Sequence, residues 1–161
     1  MGTTVNGLPY PDSGDPPDVP TDMRQLAEAV DAELTRQGEW LAWTPTVTGT
    51  SVQSTMCRYQ RSSAASVTFQ IGVTVATLTG PVTISLPIPS NAPGNYPVTF
   101  TDVGSNGYMG WASISGSIMT VNAISTANHA YVGLSPTVPF TWAPGDYLTC
   151  GIHTYRCDPN A

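Results

Sequence analysis

The chain has 161 residues and a net charge of −6, a size that suits one domain with an appendage. It contains no lysine and only five arginines, which are scattered, so its composition argues against nucleic-acid binding, where clustered cations neutralise phosphates. Its apolar runs are far shorter than the ~20 residues that span a bilayer, and its start lacks the basic and apolar stretches of a secretory signal. We therefore expect neither membrane insertion nor a cleaved leader.

Charge is concentrated in the first quarter of the chain. Residues 1–40 carry eight acidic residues and two arginines, whereas residues 41–161 carry three of each and sum to zero. The second part consists mainly of Thr, Ser, Val, Gly, Pro and aromatic residues. This asymmetry predicts an attachment arm that carries a nearly uncharged head. It also disfavours an enzyme, because catalysis usually depends on ionisable groups in a cleft.

The first two segments are an extended arm and a short helix. Residues 1–20 contain five prolines, which favour extended backbone without internal hydrogen bonds. A helix is predicted over residues 21–37, with Thr21 as its N-cap and Gly38 just past its end. A helix of this length is not stable alone in water, so we expect its apolar stripe to pack against copies of itself as a stem over residues 21–38. The stripe consists of Met23, Leu26, Val30 and Leu34.

Residues 40–157 read as short strands and turns, followed by a tail over residues 158–161. The clearest strand is 65–75, where every second residue is apolar and one face should be buried. Asn106-Gly107 and Ser115-Gly116 predict tight hairpin turns. Further strands are predicted over residues 44–48, 55–60, 83–86, 98–103, 108–114, 118–123, 130–134 and 147–155. Many short antiparallel strands predict a mainly β protein whose head is a β-sandwich or jelly roll.

Motifs along the whole chain resemble one family of proteins. The leader LPYPD of residues 8–12, with residues 19–31, resembles the N-terminal segment of tail-associated structural proteins of actinobacterial bacteriophages. The head resembles their fibre or receptor-binding β-domains. It shares with them WTPTVTG at 43–49, the Arg58-Tyr59 pair, ISLPIP at 84–89, Gly107-Tyr108 and PFTWAPGDYLT at 139–149.

The resemblance implies a virion surface protein, usually a trimer, that is anchored through its N-terminus and points its β-head outward. The arm would dock onto another virion protein through Leu8, Pro9, Tyr10, Pro11 and Val19. Two departures stand out. The chain has only a leader and one head, whereas relatives often belong to longer fibres. Cys57 replaces the glycine that commonly precedes the Arg-Tyr pair. The first departure leaves open whether the protein sits on a tail tip or on a capsid.

Three cysteines and a histidine raise the question of a metal site. Cys150, His153 and Cys157 are closely spaced, and Cys57 is a possible fourth ligand. Strand alternation places Cys150 with Leu148 and Ile152 but His153 with Thr149 and Tyr155 on the other face, whereas zinc needs converging ligands. We expect no metal and no cofactor, with the cysteines as small buried side chains. Pairing of Cys57 with Cys157 or Cys150 remains open.

A hydrolase site is also disfavoured. Asp102, Asp146 and His129 are present, but the chain has neither a Gly-x-Ser-x-Gly elbow nor paired carboxylates. Asp146 follows Pro144 and Gly145, a composition typical of a turn. His129 falls in a predicted loop, where three copies around a threefold axis could also meet at an ion. We predict no catalytic residues.

The aromatic residues of the head are the best candidates for a binding surface. Aromatic faces stack on sugar C–H faces, although large aromatic residues more often belong to cores or subunit interfaces. The set comprises Tyr108, Trp111, Tyr131, Trp142, Tyr147 and Tyr155. Trp111 and Tyr131 lie nearest to predicted turns, so we predict that these two contact glycan.

Together these observations predict a trimeric, non-enzymatic virion protein that attaches to host-surface glycans from a tail tip or fibre. Two alternatives remain. The protein could decorate the capsid or form a head fibre. It could instead be a carbohydrate-binding module or an enzyme that degrades the cell envelope.

Overall fold

The computed structural model describes residues 2–3, 9–10, 19–36, 38–104, 106–125 and 130–158. The chain divides into two compact units, one that ends at Glu39 and one that begins at Trp40. The predicted arm and stem lie in the first unit, and the predicted β head lies in the second.

Within the described residues, the first unit contains a two-stranded ladder and a helix. Strand β1 (Gly2–Thr3) pairs antiparallel with β2 (Pro9–Tyr10), and helix α1 spans Val19–Arg36. The helix therefore begins two residues before Thr21, which is not the N-cap. Pro20 fits the first turn, where its missing N–H has no intrahelical acceptor and its fixed φ suits a helix.

The second unit is antiparallel throughout, which confirms a mainly β head. Its strands are β3 (Leu41–Ala42), β4 (Val47–Ser63), β5 (Ser66–Ser85), β6 (Gly94–Thr101), β7 (Gly107–Ser115), β8 (Ile118–Ile124), β9 (Tyr131–Gly133) and β10 (Tyr147–Arg156). They follow the order β3-β4-β5-β10-β6-β7-β8-β9, and β5 also pairs with β8.

The additional β5–β8 pairing closes the sheet into a barrel in place of the predicted sandwich or jelly roll. The predicted strands 65–75 and 83–86 are one long strand, β5. Its first half pairs with β10 and its last four residues, 82–85, pair with β8. The closed ring is therefore β5-β10-β6-β7-β8, with β4, β3 and β9 added outside it.

A close approach between β4 and β5 lies where β5 passes from one partner to the other. Gly49 has φ +76°, and a Cβ there would collide with the carbonyl group of Pro81. Only glycine combines a positive φ with the absence of a Cβ, so it allows the two strands to touch at this point.

The barrel interior follows the alternation expected from the sequence. Val67, Phe69, Ile71, Val73 and Val75 are all buried, which confirms the predicted apolar face of this strand. On the facing strands the buried side chains include Val98, Phe100, Ala112, Ile114, Met119, Val121, Leu148 and Cys150. Burial of this apolar set is the main stabilising contribution to the barrel.

Of the two predicted hairpin turns, the one between β7 and β8 is present one residue later than expected, and the tight turn at Asn106-Gly107 was wrong. Ser115 pairs with Ile118, so Gly116 and Ser117 form the tight turn between β7 and β8. Gly116 has φ +57°. Between β6 and β7, Thr101 pairs with Gly107, so the connection is a five-residue loop rather than a two-residue Asn106-Gly107 turn.

Arg58 ties the start of the head to the sheet. Its guanidinium carbon lies 4.9 Å from the centre of the Trp40 ring, and its Nε donates to Gln70 Oε1 at 2.8 Å. A cation over an aromatic face is favourable. The Arg-Tyr motif thus has a structural contact at the beginning of the β unit.

Candidate functional site

A cleft of about 430 Å³ lies on the outside of the barrel, across β6, β7, β8 and β9. It is lined by Asn95, Trp111, Ser113, Asn122 and Tyr131. Its volume falls within the range of about 300–1,000 Å³ that is usual for small-molecule sites.

Strand alternation explains why these side chains point outward. In β7, Ala112 and Ile114 are buried in the barrel, so Trp111 and Ser113 face the other way. In β8, Val121 and Ala123 are buried and Asn122 between them faces outward.

The register of the strands brings the five side chains together along a diagonal. Asn95 stands opposite Ser113, Trp111 stands opposite Asn122, and Tyr131 stands opposite Ile124. Asn122 therefore lies on the strand between those of the two aromatic residues. From β6 to β9, the cleft presents the polar groups of Asn95 and Ser113, the Trp111 ring, the Asn122 amide and the Tyr131 ring, in that order.

The polar groups of the cleft are free to bind a ligand. Within the ranges that the structure describes, none of the five lining side chains hydrogen-bonds to another protein group. None of the described lining side chains is charged, and strands β6 to β9 include no Asp, Glu, Lys, Arg or His. Two aromatic rings with unpaired amide and hydroxyl groups can bind an uncharged polar molecule that has an apolar face.

Trp111 and Tyr131, the two predicted glycan contacts, thus lie on the same cleft. Trp111 is half-buried and Tyr131 is 66% exposed. Their contact with glycan remains a prediction. The sequence analysis missed Asn95, Ser113 and Asn122. The phase of alternation in β7 and β8 could have identified Ser113 and Asn122, whereas Asn95 required the register between β6 and β7.

Of the other aromatic residues in the predicted set, Tyr155 is buried, and Tyr108 and Trp142 are half-buried against the core. Phe140 stacks on Tyr108 at 4.9 Å and on Trp142 at 4.5 Å between ring centres. The Trp142 Nε1 donates to the Val138 carbonyl oxygen at 3.0 Å. Tyr155 is buried, and its hydroxyl donates to the Ile88 carbonyl oxygen at 2.7 Å. Tyr147 is partly exposed on β10, outside the cleft.

The predicted stem residues form an apolar stripe that is largely exposed within a single chain. Met23 and Leu34 are 61% and 62% exposed, Val30 is also exposed, and Leu26 is half-buried. Exposed apolar surface of this kind is typical of an interaction face.

Of the predicted docking residues, Pro9 and Tyr10 form strand β2, which keeps them in extended backbone. Val19 is the first residue of α1, so its inclusion in the extended arm was wrong. Leu8 and Pro11 lie outside the described residues.

The predicted faces of the last strand are partly wrong. The register shifts between Cys150 and His153, which indicates a bulge at Gly151 and Ile152. Alternation reverses there, so Tyr155 and Cys157 are buried like Leu148 and Cys150, and Ile152 is exposed. No group of three or more metal-binding side chains is present in the described part of the chain.

All three cysteines are buried free thiols, so neither of the two disulfide pairings left open above is formed. Each thiol donates to a backbone carbonyl oxygen, Cys57 to Gly72, Cys150 to Pro97 and Cys157 to Ala64. Burial raises the pKa of Cys150 to about 12, and it also raises the pKa of the other two. Protonated, buried thiols are poor nucleophiles and poor metal ligands.

Asp146 has a structural role in a turn. It is only 2% exposed, its Oδ1 accepts from the Val103 N–H at 3.0 Å, and its Oδ2 accepts from the Ala143 N–H at 2.6 Å. The carboxylate therefore joins two loops and has no oxygen directed at solvent. Asp102 is half-buried, and His129 lies outside the described residues.

Among the residues that the structure describes, no helix is long and apolar enough to cross a bilayer. Comparison with known proteins gave no match to a family model, to a curated protein or to a solved structure.

Proposed function

We propose that this chain is a non-enzymatic structural protein of a phage particle that attaches the particle to host-surface glycan. In this proposal the N-terminal arm binds another virion protein, α1 forms the stem of a homotrimer, and the barrel presents the cleft. The observation that carries the proposal is the convergence of Trp111 and Tyr131 with two unpaired asparagine amides in one cleft.

The chemistry of the described lining side chains supports a binding role. None of the five lining side chains that the structure describes is a carboxylate or a histidine. Both oxygens of the buried Asp146 carboxylate accept backbone N–H groups, and this residue does not line the cleft. Recognition without chemistry needs only shape and hydrogen-bonding groups, which the cleft supplies.

The exposed stripe of α1 supports the trimer. Met23, Val30 and Leu34 would lose their contact with water if three helices packed along these side chains. Three copies of a weak site on one particle protein would then bind a repetitive cell surface by avidity. Tight binding at each cleft is not required.

Particle adsorption tests this proposal directly. Particles that carry Tyr131→Ala are expected to adsorb to host cells at least several-fold more slowly than unmodified particles, since an exposed ring of the binding surface is lost. Met109→Ala is the matched control, because Met109 is exposed on β7, two residues from Trp111, but does not line the cleft. Unchanged adsorption of the Tyr131→Ala particles would refute the attachment role.

Antibody labelling of intact particles locates the head. Label at the tail end is expected for an adhesin. Label over the capsid would instead indicate a shell-decorating protein, and the attachment role would then be abandoned if adsorption were also unaffected by the cleft variants.

A further inference from the structure

We infer that the cleft binds an uncharged oligosaccharide that spans at least two sugar rings and lies diagonally across β6 to β9. The inference rests on the proposed function and narrows its ligand class.

The first argument is electrostatic. Strands β6 to β9 carry no acidic, basic or histidine side chain, and the lining groups are amides, hydroxyls and rings. A carboxylated, phosphorylated or amino sugar would lose part of its hydration in the cleft without gaining an opposite charge. An uncharged sugar has no charge to desolvate, so the cleft discriminates against charged glycans.

The second argument concerns hydrogen bonding. Asn95 and Asn122 each offer two donors and one acceptor, and Ser113 offers a hydroxyl. Within the described ranges these groups have no protein partner, so a ligand displaces water without breaking a bond inside the protein. Neighbouring hydroxyls on a sugar present both donors and acceptors, which matches a carboxamide.

The third argument is the length of the site. The lining residues occupy four successive strands, which span roughly 14 Å at about 4.8 Å per strand. This distance exceeds the width of one pyranose ring. Trp111 and Tyr131 stand on strands separated only by β8, so each ring can support a different sugar while Asn122 lies between them.

A glycan array that contains neutral, carboxylated, phosphorylated and amino oligosaccharides tests the ligand class with the full-length protein. We expect binding to be confined to neutral glycans. The best neutral ligand is then titrated by calorimetry beside its own monosaccharide and beside an acidic derivative. The oligosaccharide should bind about tenfold or more tightly than either of them.

Variants test the position of the ligand. Tyr131→Ala should weaken binding of the neutral oligosaccharide by about tenfold, as is usual for loss of a stacking ring. Because Tyr131 is mostly exposed, this variant is expected to fold normally. Asn95→Ala, at the other end of the diagonal, should weaken binding of the oligosaccharide but not of its monosaccharide. Met109→Ala should bind as the unmodified protein does.

The outcomes separate this inference from the proposed function. Binding confined to acidic glycans, binding of no glycan, or equal losses in Met109→Ala and Tyr131→Ala would overturn the inference. If particle adsorption still depends on Tyr131 in those cases, the attachment function stands with a different ligand. If neutral glycans bind but particle adsorption is unchanged in the cleft variants, the attachment function fails while the inferred ligand class is upheld.

Discussion

Asp146 shows how one buried side chain determines the local structure of the head. Its two carboxylate oxygens hold the backbone N–H groups of Val103 and Ala143, and its own carbonyl oxygen accepts from the Val75 N–H at 2.7 Å. Three separate segments therefore meet at this residue. The sequence pattern Pro-Gly-Asp indicated a turn, but only the fold reveals that the turn is bonded to the loop after β6.

Replacement of Asp146 by Asn should destabilise the head without changing its surface. The amide nitrogen of asparagine cannot accept a hydrogen bond, so one backbone N–H loses its partner, at a cost of about 1–3 kcal/mol. Urea unfolding followed by tryptophan fluorescence measures the change. Asp102→Asn is the control and should shift the free energy of unfolding by less than about 0.5 kcal/mol. Equal effects of both changes would contradict the proposed role of Asp146.

The buried thiols predict how stability depends on pH. Burial raises the pKa of Cys150 from 9.0 to about 12, so the folded state retains its proton where the unfolded state has lost it. A group whose pKa is raised by folding contributes stability that is complete below its unfolded pKa and is lost as pH rises towards its folded pKa. The contribution of Cys150 to the free energy of unfolding should therefore be constant from pH 7 to about 8.5 and fall between pH 9 and pH 12.

Urea unfolding at pH 7.5 and pH 10.5 checks this expectation, and Cys150→Ala should reduce the difference between the two values. Iodoacetamide should also label all three cysteines slowly in the folded protein at pH 8 and rapidly in urea, since each thiol is buried. Rapid labelling of the folded protein would show that these sites open readily.

At the scale of elements, sequence patterns predicted strands well where each strand has one buried face. The alternation of residues 65–75 corresponds to structure, and the turn predicted at Ser115-Gly116 lies one residue later, at Gly116-Ser117. The bulge at Gly151 and Ile152 was missed, because a single extra residue reverses the faces without changing the composition of the strand. Closure of the barrel was missed for a different reason. It depends on pairing of residues 82–85 with β8, which local periodicity does not reveal.

The residues of the candidate site could also be predicted only in part from the sequence. Trp111 and Tyr131 could be selected from their residue type and their position near turns. Ser113 and Asn122 follow from the alternation within β7 and β8, whereas Asn95 comes from the register between β6 and β7, which is a property of the sheet rather than of any one segment.

The apolar stripe of α1 predicts how substitutions in the helix change the oligomeric state. Leu26→Asp with Val30→Asp should convert the proposed trimer into monomers, because charges buried between three helices have no partners. Sedimentation measures the mass, and circular dichroism checks that the head remains folded. The pair Gln25→Asp with Ala32→Asp adds the same charge on the opposite side of α1 and should leave the trimer intact. A trimer in both variants would place the association in the head.

At the scale of the whole molecule, the proposed function assigns anchoring to the first unit and recognition to the second. The acidic residues lie mainly in the first unit, and the cleft lies in the second. Under this proposal, we expect a change in one unit to alter one activity and leave the other intact.

Deletion of residues 1–18 tests this separation, since it removes the arm and leaves α1 complete. The truncated protein should keep its oligomeric state and its glycan binding but should be lost from assembled particles. Immunoblots of purified particles measure incorporation, with Met109→Ala as a control that should assemble normally. Normal incorporation of the truncated protein would refute docking through the arm.

The position of β10 in the barrel has a consequence for how the protein is made. This strand, Tyr147–Arg156, pairs with β5 on one side and β6 on the other, although Thr68 and Thr154, which share a hydrogen bond across the β5–β10 pair, are 86 residues apart in the chain. Until the ribosome has released it, β5 and β6 both present an open edge, and such edges pair readily with other chains. The head is thus most vulnerable to aggregation late in synthesis, and a nonsense mutation shortly before residue 147 would produce a chain that accumulates as aggregates rather than as a partly active head.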